Sequence, residues 1–582
     1  MQRIAHAFSR TTLCCSSLAL LTLPALAGTP EALNHVPSDA QAVIVVPDLG
    51  ELLDDLMKGN AMLGEMASPE VMMGVSMIRG MPGVNLKGSM VTVLSMEDAQ
   101  QEPDVVMLIP VSDFGDFTMD REPVNGVVEY PLPDGGMMYA RDTGAGFAVF
   151  GPVAEQVKNY NANGGNLTAH TAMLGKAGGR IADHNDLFIY VNIPQFSDQI
   201  DQGLREMEAQ GEMIEMMGGA EAAQSFDQMM AAMKTIANDA MSMSAGLNID
   251  LTTGMSLDFG MQFKDASDTA GYFNNNGDAG KYFAKVPNMD YFMAASYDMS
   301  GAGIQKFIGQ YMELVSNMDT TGMLGAMNMD KLVTGVKGGV QVVGASDNVM
   351  GGLFTNTLYY AEVDSPGAYI DAMREMYKGM GDSPELEQAG LKVEASVDAE
   401  PIEIDGVKAY GYQMSMDMTQ FNNMDAAGGM GMNPAMMMQM MFGASGPTGY
   451  LAQSGEHGLI ATLAQNPTLL SKAAKAANGE NTMAEVAAMK RTASMLPDNR
   501  VMEMYIAADH LANTAGPMAM MFGLIPEFEP VESLPPLGMG LTADGGGMLF
   551  RTVVPIQTIN KAMKMVQEIE QGQQQQNNEM EF

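Results

Sequence analysis

The chain has 582 residues, a formal net charge of −40, 62 methionines, two cysteines and no tryptophan. A negative field of this size repels nucleic acid and anionic lipid headgroups and favours cationic partners, so we expect no nucleic-acid binding. The missing tryptophan and an aromatic content of 7% argue against a carbohydrate-stacking cleft.

The first residues have the pattern of an export signal. Arg3 and Arg10 flank the start of an apolar stretch, and the small residues Ala25 and Ala27 suit a signal peptidase. We predict a signal peptide over 1–27, cleaved after Ala27, and a periplasmic or extracellular product. The apolar stretch is too short to span a membrane, and no later stretch is long enough, so we expect no transmembrane segment.

Both cysteines, Cys14 and Cys15, lie inside the predicted signal. A lipid anchor is disfavoured because Leu13 stands where a small residue is needed, and because the apolar stretch follows the cysteines. The processed chain would therefore have no disulfide, thiolate metal site or cysteine nucleophile.

Three landmarks occur twice, in the same order, along the chain. They are a Val-Pro, strand, aspartate and helix pattern, a strand followed by helices and another strand, and a hairpin with period-two alternation. The paired stretches begin at Val36 and Val286, at Gly146 and Gly458, and at Leu247 and Gly538. This order predicts a tandem duplication.

The predicted halves cover 28–285 and 286–570, and a polar tail over 571–582 is expected to be disordered. The spacing between paired landmarks grows along the chain. We therefore expect a methionine-rich insertion at about 304–450 in the second half.

Several strand patterns follow one another without an intervening helix, which favours antiparallel pairing. They are "AVIVV" (42–46), "MVTVL" (90–94), "DVVMLIPV" (104–111), "FAVFG" (147–151) and "LFIYVNI" (187–193). The predicted fold class is α+β, with each half a largely antiparallel sheet covered by helices and with methionine-rich helical insertions.

The opening pattern Pro37-x-Asp39-Ala40, a strand, Pro47-Asp48-Leu49 and then Leu52-Leu53 resembles exported bacterial proteins classed as domains of unknown function. The resemblance covers about twenty residues clearly and the repeat more loosely. It implies no activity and no functional residues, because such families have no assigned chemistry.

No catalytic signature is found in the sequence. It contains no His-Glu-x-x-His, Gly-x-Ser-x-Gly elbow, Walker loop or Gly-x-Gly-x-x-Gly after a strand. His170 and His184 are interpreted as surface or loop residues. We predict a non-enzymatic protein without a cofactor, with an uncharacterised hydrolase as a further alternative.

Methionine is the unusual residue, since it fills irregular surfaces and repacks easily. Between 207 and 243 the pattern predicts an amphipathic helical hairpin broken at Gly218-Gly219, with glutamates opposite the methionines. The methionine faces either cover the sheet or line an acidic-rimmed groove for apolar or cationic amphipathic peptides. The candidate partner-binding residues here are Met213, Met216, Met217, Met229, Met230 and Met233.

The stretch "GMGMNPAMMMQMMFG" (429–443) predicts a short helix inside the insertion. Asn433 suits the N-cap, Pro434 the first turn, and Gly443 the stop. We interpret it as a docking or capping helix, either on its own sheet or on a partner. Its partner-binding candidates are Met436, Met437, Met440 and Met441.

The leading hypothesis is an exported binding or scaffolding protein of the cell envelope that holds an apolar ligand or polypeptide on methionine-rich surfaces. The alternative is copper(I) or soft-metal handling, since thioethers prefer that ion. Its candidate ligands are Met430, Met432, Met437, Met438, Met440 and Met441. Against it, no histidine lies near these residues in the sequence.

Overall fold

The computed structural model describes residues 30–62, 68–96, 103–132, 136–209, 211–317, 332–333, 335–345, 352–381, 392–417, 440–443, 446–521 and 528–565. The predicted signal peptide and the predicted polar tail lie outside these residues. The chain divides into two compact units. Unit 1 comprises Met1–Met207, Met233–Phe273 and Asp544–Phe582, and unit 2 comprises Glu208–Ala232 and Asn274–Ala543.

Unit 1 contains ten strands among its described residues, and every pairing is antiparallel. Their order across the sheet is β4-β5-β6-β3-β2-β1-β7-β8-β9-β20. The bounds are β1 Ala42–Val46, β2 Met90–Ser95, β3 Asp104–Pro110, β4 Val128–Pro131, β5 Met137–Asp142, β6 Phe147–Gly151, β7 Leu187–Asn192, β8 Ala240–Asp250, β9 Gly254–Phe263 and β20 Gly547–Pro555.

The helices in this part of the sequence follow strands β1, β3, β6, β7 and β9. They are α1 Leu49–Met62, α2 Pro69–Arg79, α3 Phe114–Thr118, α4 Ala154–Asn159, α5 Leu167–His184, α6 Ser197–Glu208, α7 Gly211–Asp239 and α8 Asp268–Tyr272. Short 3₁₀ turns cover Glu31–His35 and Ile193–Phe196. Helix α7 contains residues of both units.

Unit 2 has an antiparallel sheet in which β13 and β14 pair with the same neighbour. The order is β13/β14-β15-β16-β17-β12-β11-β10-β18-β19. The bounds are β10 Tyr291–Asp298, β11 Val336–Gly344, β12 Thr357–Val363, β13 Lys392–Val397, β14 Ile402–Ile404, β15 Val407–Asp417, β16 Thr448–Ser454, β17 Gly458–Thr462, β18 Arg500–Ile506 and β19 Leu537–Asp544.

The remaining helices are α9 Ala302–Asn317, α10 Pro366–Gly381, α11 Pro467–Ala477, α12 Ala487–Ala493, α13 Ala508–Met521 and α14 over 556–565. Two further 3₁₀ turns cover Ala279–Lys285 and Met483–Glu485. The predicted α+β class with a large antiparallel sheet is confirmed.

The two units share a strand order. In each, the first strand (β1 or β10) lies between the second strand (β2 or β11) and the strand that follows the helical region (β7 or β18). This order supports the predicted duplication, which stays a prediction together with its boundaries. The span 304–450 contributes strands β11 to β15 and the start of β16 to the sheet of unit 2.

The main core of unit 1 lies between the sheet and helix α5. Val43, Val45 and Phe188 point toward this helix and are almost fully buried, as are Leu174 and Ile181 on the helix itself. Two smaller clusters lie on the other side of the sheet, one formed by α1 and α2 and one around α3. The strand pattern thus carries apolar residues on both faces.

The predicted helical hairpin broken at Gly218-Gly219 is wrong, because α7 continues through both glycines. A glycine costs a helix only about 1 kcal/mol relative to alanine, and strong helix formers flank this pair. The break lies earlier, between α6 and α7.

A buried ion pair joins two strands of unit 1 that are far apart in sequence. Arg551 on β20 donates from Nε and Nη2 to the two carboxylate oxygens of Asp258 on β9, at 2.7 and 2.6 Å. Asn185 Nδ2 donates to the same carboxylate at 2.9 Å. Both charged residues are buried, Asp258 completely, so each depends on the other for compensation.

We expect Arg551→Met to destabilise the protein by about 3–5 kcal/mol, because it leaves the Asp258 carboxylate buried and unpaired. Urea unfolding followed by circular dichroism measures this. The control is Lys158→Met, which removes an exposed pair with Glu155 at 3.8 Å and should cost less than about 0.5 kcal/mol. Adding Asp258→Asn to Arg551→Met should recover part of the loss, and equal effects of Arg551→Met and the control would contradict the account.

Candidate functional site

Helix α5 lies unusually close to the sheet of unit 1. A Cβ at Gly246 on β8 would lie 2.7 Å from Ile181 Cγ2, and one at Gly260 on β9 would lie 2.8 Å from Ile181 Cδ1. These are distances that real Cβ atoms do not show, so a side chain at either position would force Ile181 or its neighbours to move. On β8 and β9, the side toward helix α5 is therefore built mainly from small and polar residues.

A kink in helix α5 receives a polar side chain from the sheet. Gly175 has φ 58° inside the helix, and the side chain of Gln262 fills the space beside it. Gln262 Oε1 accepts from the backbone N–H of Lys176 at 3.1 Å, while its Nε2 donates to Gly545 O at 3.0 Å. The glutamine thus satisfies backbone groups that the kink releases.

The opposite face of the same strands is apolar. Strand alternation places Val191, Met243, Met261 and Met548 in one row, Ile189, Ala245, Phe259 and Phe550 in the next, and Leu187, Leu247, Leu257 and Thr552 in a third. We call this surface over β7, β8, β9 and β20 the open sheet face.

Three residues of the open sheet face are strongly exposed: Phe259 at 50%, Met243 at 47% and Leu257 at 42%. Its ends are covered. Leu187 packs against the cluster of α1 and α2, and Met261 packs against Ala240, Phe263 and Ala270 beside α8. A contiguous apolar patch between covered ends is typical of an interaction surface.

Carboxylates collect at the α1 end of the open sheet face. Burial, with smaller contributions from the carboxylates of Asp55 and Glu51, raises the pKa of Asp186 to about 7, against a hydrogen bond from Ile249 N–H. Burial likewise raises the pKa of Asp55, which bonds Lys58 Nζ at 3.0 Å. Burial therefore favours the protonated form of both carboxyls at this end of the open sheet face.

Unit 2 has a comparable apolar alternation on β10, β18 and β19. Met504 on β18 lies opposite Met539 on β19 and opposite Ala295 on β10. Met502, two residues away on the same face, is 37% exposed. Methionine thus occurs on partly exposed sheet positions in each unit.

Unit 2 also contains a cavity of about 570 Å³, between helix α10 and strands β13 and β15. Arg374 lines it, but its Nη1 already donates to Asp371 Oδ1 at 2.6 Å and its Nη2 to Asp398 O at 3.1 Å. Lys378 and Glu394, which carry opposite charges, also line it. This cavity is a weaker candidate because its main cation is already engaged within the protein.

The methionines predicted on α7 differ in exposure. Met230 is buried, Met229 is half-buried and Met233 is 37% exposed. Met213, Met216 and Met217 belong to α7, but their side chains lie outside the described part of the structure.

Most of the predicted methionine helix lies outside the described residues, including Met430, Met432, Met436, Met437 and Met438. Its end is described. Residues 440–442 are helical, and the predicted stop is confirmed because Gly443 has φ 77°.

This helix end docks on its own unit. Met440 O accepts from Leu353 N–H at 2.8 Å, and Met441 O accepts from Phe354 N–H at 2.9 Å. The rings of Phe354 and Phe442 lie 6.0 Å apart. The described end of the helix thus contacts its own chain, while docking of the predicted methionine face stays a prediction.

The interpretation of His170 as a surface residue is wrong. It is 1% exposed within α5, where its Nε2 donates to Val36 O at 3.0 Å and its Nδ1 accepts from Tyr190 Oη at 2.5 Å. Burial lowers its pKa. His184 ends α5 and is exposed, as predicted.

The chain matches no family model, no curated protein and no solved structure. Within the described ranges, no group of three or more His, Cys, Asp or Glu residues is arranged to hold a metal ion. No helix in the described part of the chain is long and apolar enough to cross a membrane.

Sequence reasoning predicted the β8–β9 hairpin but not its open face. The sequence does contain a signal of this face, because Gly246, Asp258, Gly260 and Gln262 occupy the positions of β8 and β9 that alternate with the apolar residues. Small and polar residues normally mark the solvent side of a strand. Here they lie under helix α5, and the apolar side is exposed.

We expect Asp186→Asn to stabilise the protein relative to the wild type as the pH rises. The native carboxyl keeps its proton up to about pH 7, whereas an unfolded aspartate releases it near pH 3.9. Wild-type stability therefore falls between these values and levels off above pH 7, and the variant lacks this fall. Between pH 5 and pH 8 the variant should gain about 2–3 kcal/mol relative to the wild type in urea unfolding.

The matched control is Asp250→Asn on the same sheet end. Burial raises the pKa of Asp250, but hydrogen bonds from Thr252 and Thr253 outweigh it and lower the pKa overall. This variant should therefore lose stability at neutral pH. A pH-independent effect of Asp186→Asn would contradict a raised pKa.

Proposed function

We propose that the protein is an exported, non-enzymatic binding protein that holds apolar segments of cationic polypeptides on the open sheet face. The observation that carries this proposal is the exposure of Met243, Leu257 and Phe259 side by side on paired strands. The export signal in the sequence supports a periplasmic or extracellular location.

The chemistry of the surface favours broad recognition. Methionine has three rotatable bonds and a polarizable sulfur, so it adapts to different apolar shapes. Surfaces of this kind accept several partners because they can repack. The rows contain no hydrogen-bonding group except Thr552, which also favours shape-tolerant contact.

Charge favours a cationic partner. The chain has 70 acidic against 30 basic residues, which gives a formal net charge of −40. Such a field attracts positively charged segments and raises their association rate.

We expect Leu257→Ser with Phe259→Ser to weaken binding of a neutral hydrophobic dye by about tenfold, because two large apolar contacts are lost. A neutral dye is needed since the protein's own charge repels anionic ones. Fluorescence titration of the folded protein measures this. A cationic amphipathic peptide should compete with the dye, and an acidic peptide of equal hydrophobicity should not.

The matched control replaces two exposed valines of unit 1 that lie elsewhere, Val124→Ser with Val153→Ser, which are 53% and 44% exposed. It should bind the dye like the wild type. The proposal fails if both double variants bind the dye equally well, or if the folded wild type binds neither dye nor peptide.

A further inference from the structure

Three methionines stand in one row across three neighbouring strands of unit 1. Met243 on β8 is directly opposite Met261 on β9, and Met261 is directly opposite Met548 on β20. Directly opposite residues share a face of the sheet, so all three lie on the open sheet face. We call this set the methionine row.

The spacing of the methionine row suits convergence on one small ion. Cβ atoms of directly opposite residues are about 4.5–5.5 Å apart. Each methionine side chain has enough rotatable bonds to carry its sulfur toward the middle strand. Met261, in the centre, therefore has a thioether on each side.

The central residue is held in place while an outer one is accessible. Met261 packs against the buried cluster of Ala240, Phe263 and Ala270. Met243 is 47% exposed and Met548 is half-buried. An anchored centre with an exposed neighbour combines a fixed ligand with an entry path for an ion.

The ligand chemistry selects a soft monovalent ion. Thioether sulfur binds copper(I), whereas carboxylate, carbonyl and water suit magnesium, calcium and manganese. The other members of this row and of the next are Val191, Ile189, Ala245, Phe259 and Phe550. Apolar neighbours exclude hard ligands from the site, and the negative field of the chain attracts cations.

We propose that Met243, Met261 and Met548 form a binding site for one copper(I) ion. The site uses none of the six methionines of the sequence-based metal hypothesis. It is independent of peptide binding in its chemistry, since it needs sulfur where the proposed function needs only apolar surface.

The test is an anaerobic copper(I) titration of the full processed chain against a colorimetric copper(I) chelator. The variant carries Met243→Leu, Met261→Leu and Met548→Leu, which keep the apolar surface and remove the sulfurs. We expect it to hold one tightly bound equivalent fewer than the wild type. The single variant Met261→Leu changes only one side chain. It should weaken the affinity for that copper(I) ion by on the order of tenfold or more.

The matched control replaces three methionines that are also exposed but lie on separate elements, Met73, Met119 and Met137, by leucine. It should keep the wild-type stoichiometry. X-ray absorption at the copper edge should show one more sulfur-coordinated copper ion in the wild type than in the triple variant. An unchanged stoichiometry in the row variant, an equal loss in the control, or nitrogen and oxygen ligands at that equivalent would overturn the proposal.

Dye binding separates this proposal from the function above. The variant Leu257→Ser with Phe259→Ser should bind the dye more weakly but keep the wild-type copper(I) stoichiometry, because it removes no sulfur. Loss of the copper equivalent in this variant would overturn the copper site, whereas unchanged dye binding would overturn the proposed function.

Discussion

The close approach of helix α5 to the sheet determines the character of unit 1. Gly246 and Gly260 admit no side chain beneath Ile181, and Gln262 fills the kink at Gly175. At these positions the strands carry small or polar residues, which pack closely against the helix or form hydrogen bonds with it. The apolar residues that alternate with them must then project from the other face, where Phe259 and Leu257 are exposed. The open sheet face is a geometric consequence of a tightly packed opposite face.

Polar groups stabilise the covered side in an unusual way. The bidentate pair of Arg551 and Asp258 ties the last strand of unit 1 to a strand nearly three hundred residues earlier in sequence. His170 is buried on the same side, with Tyr190 and Val36 O as its partners. Because desolvation offsets the attraction within a buried pair, we interpret this one as a determinant of strand pairing more than of net stability. Correct pairing of β20 then fixes which residues stand beside Phe259.

Local patterns predicted the α+β class, the strands around 42–46 and 187–193 and the stop at Gly443, because alternation and left-handed glycine act over a few residues. The same patterns failed at Gly218-Gly219, where flanking helix formers outweigh two glycines, and at His170, whose burial depends on partners far away in sequence. The candidate site could not be predicted because period-two alternation defines two faces without saying which one a helix covers. The density of methionines in the sequence points to α7 and to 429–443. The sheet instead aligns Met243 and Met261 of one hairpin with Met548, which is distant in sequence.

The central claim is that the methionine-bearing side of β8 and β9 is accessible in the folded protein. Limited oxidation of the native chain by peroxide, with peptide mass spectrometry, reads this directly, because sulfoxide formation follows exposure. We expect Met243, which is 47% exposed, to oxidise at least about tenfold faster than the buried Met483 and Met489. Protection of Met243 equal to that of Met483 would show that the face is covered and would contradict the account.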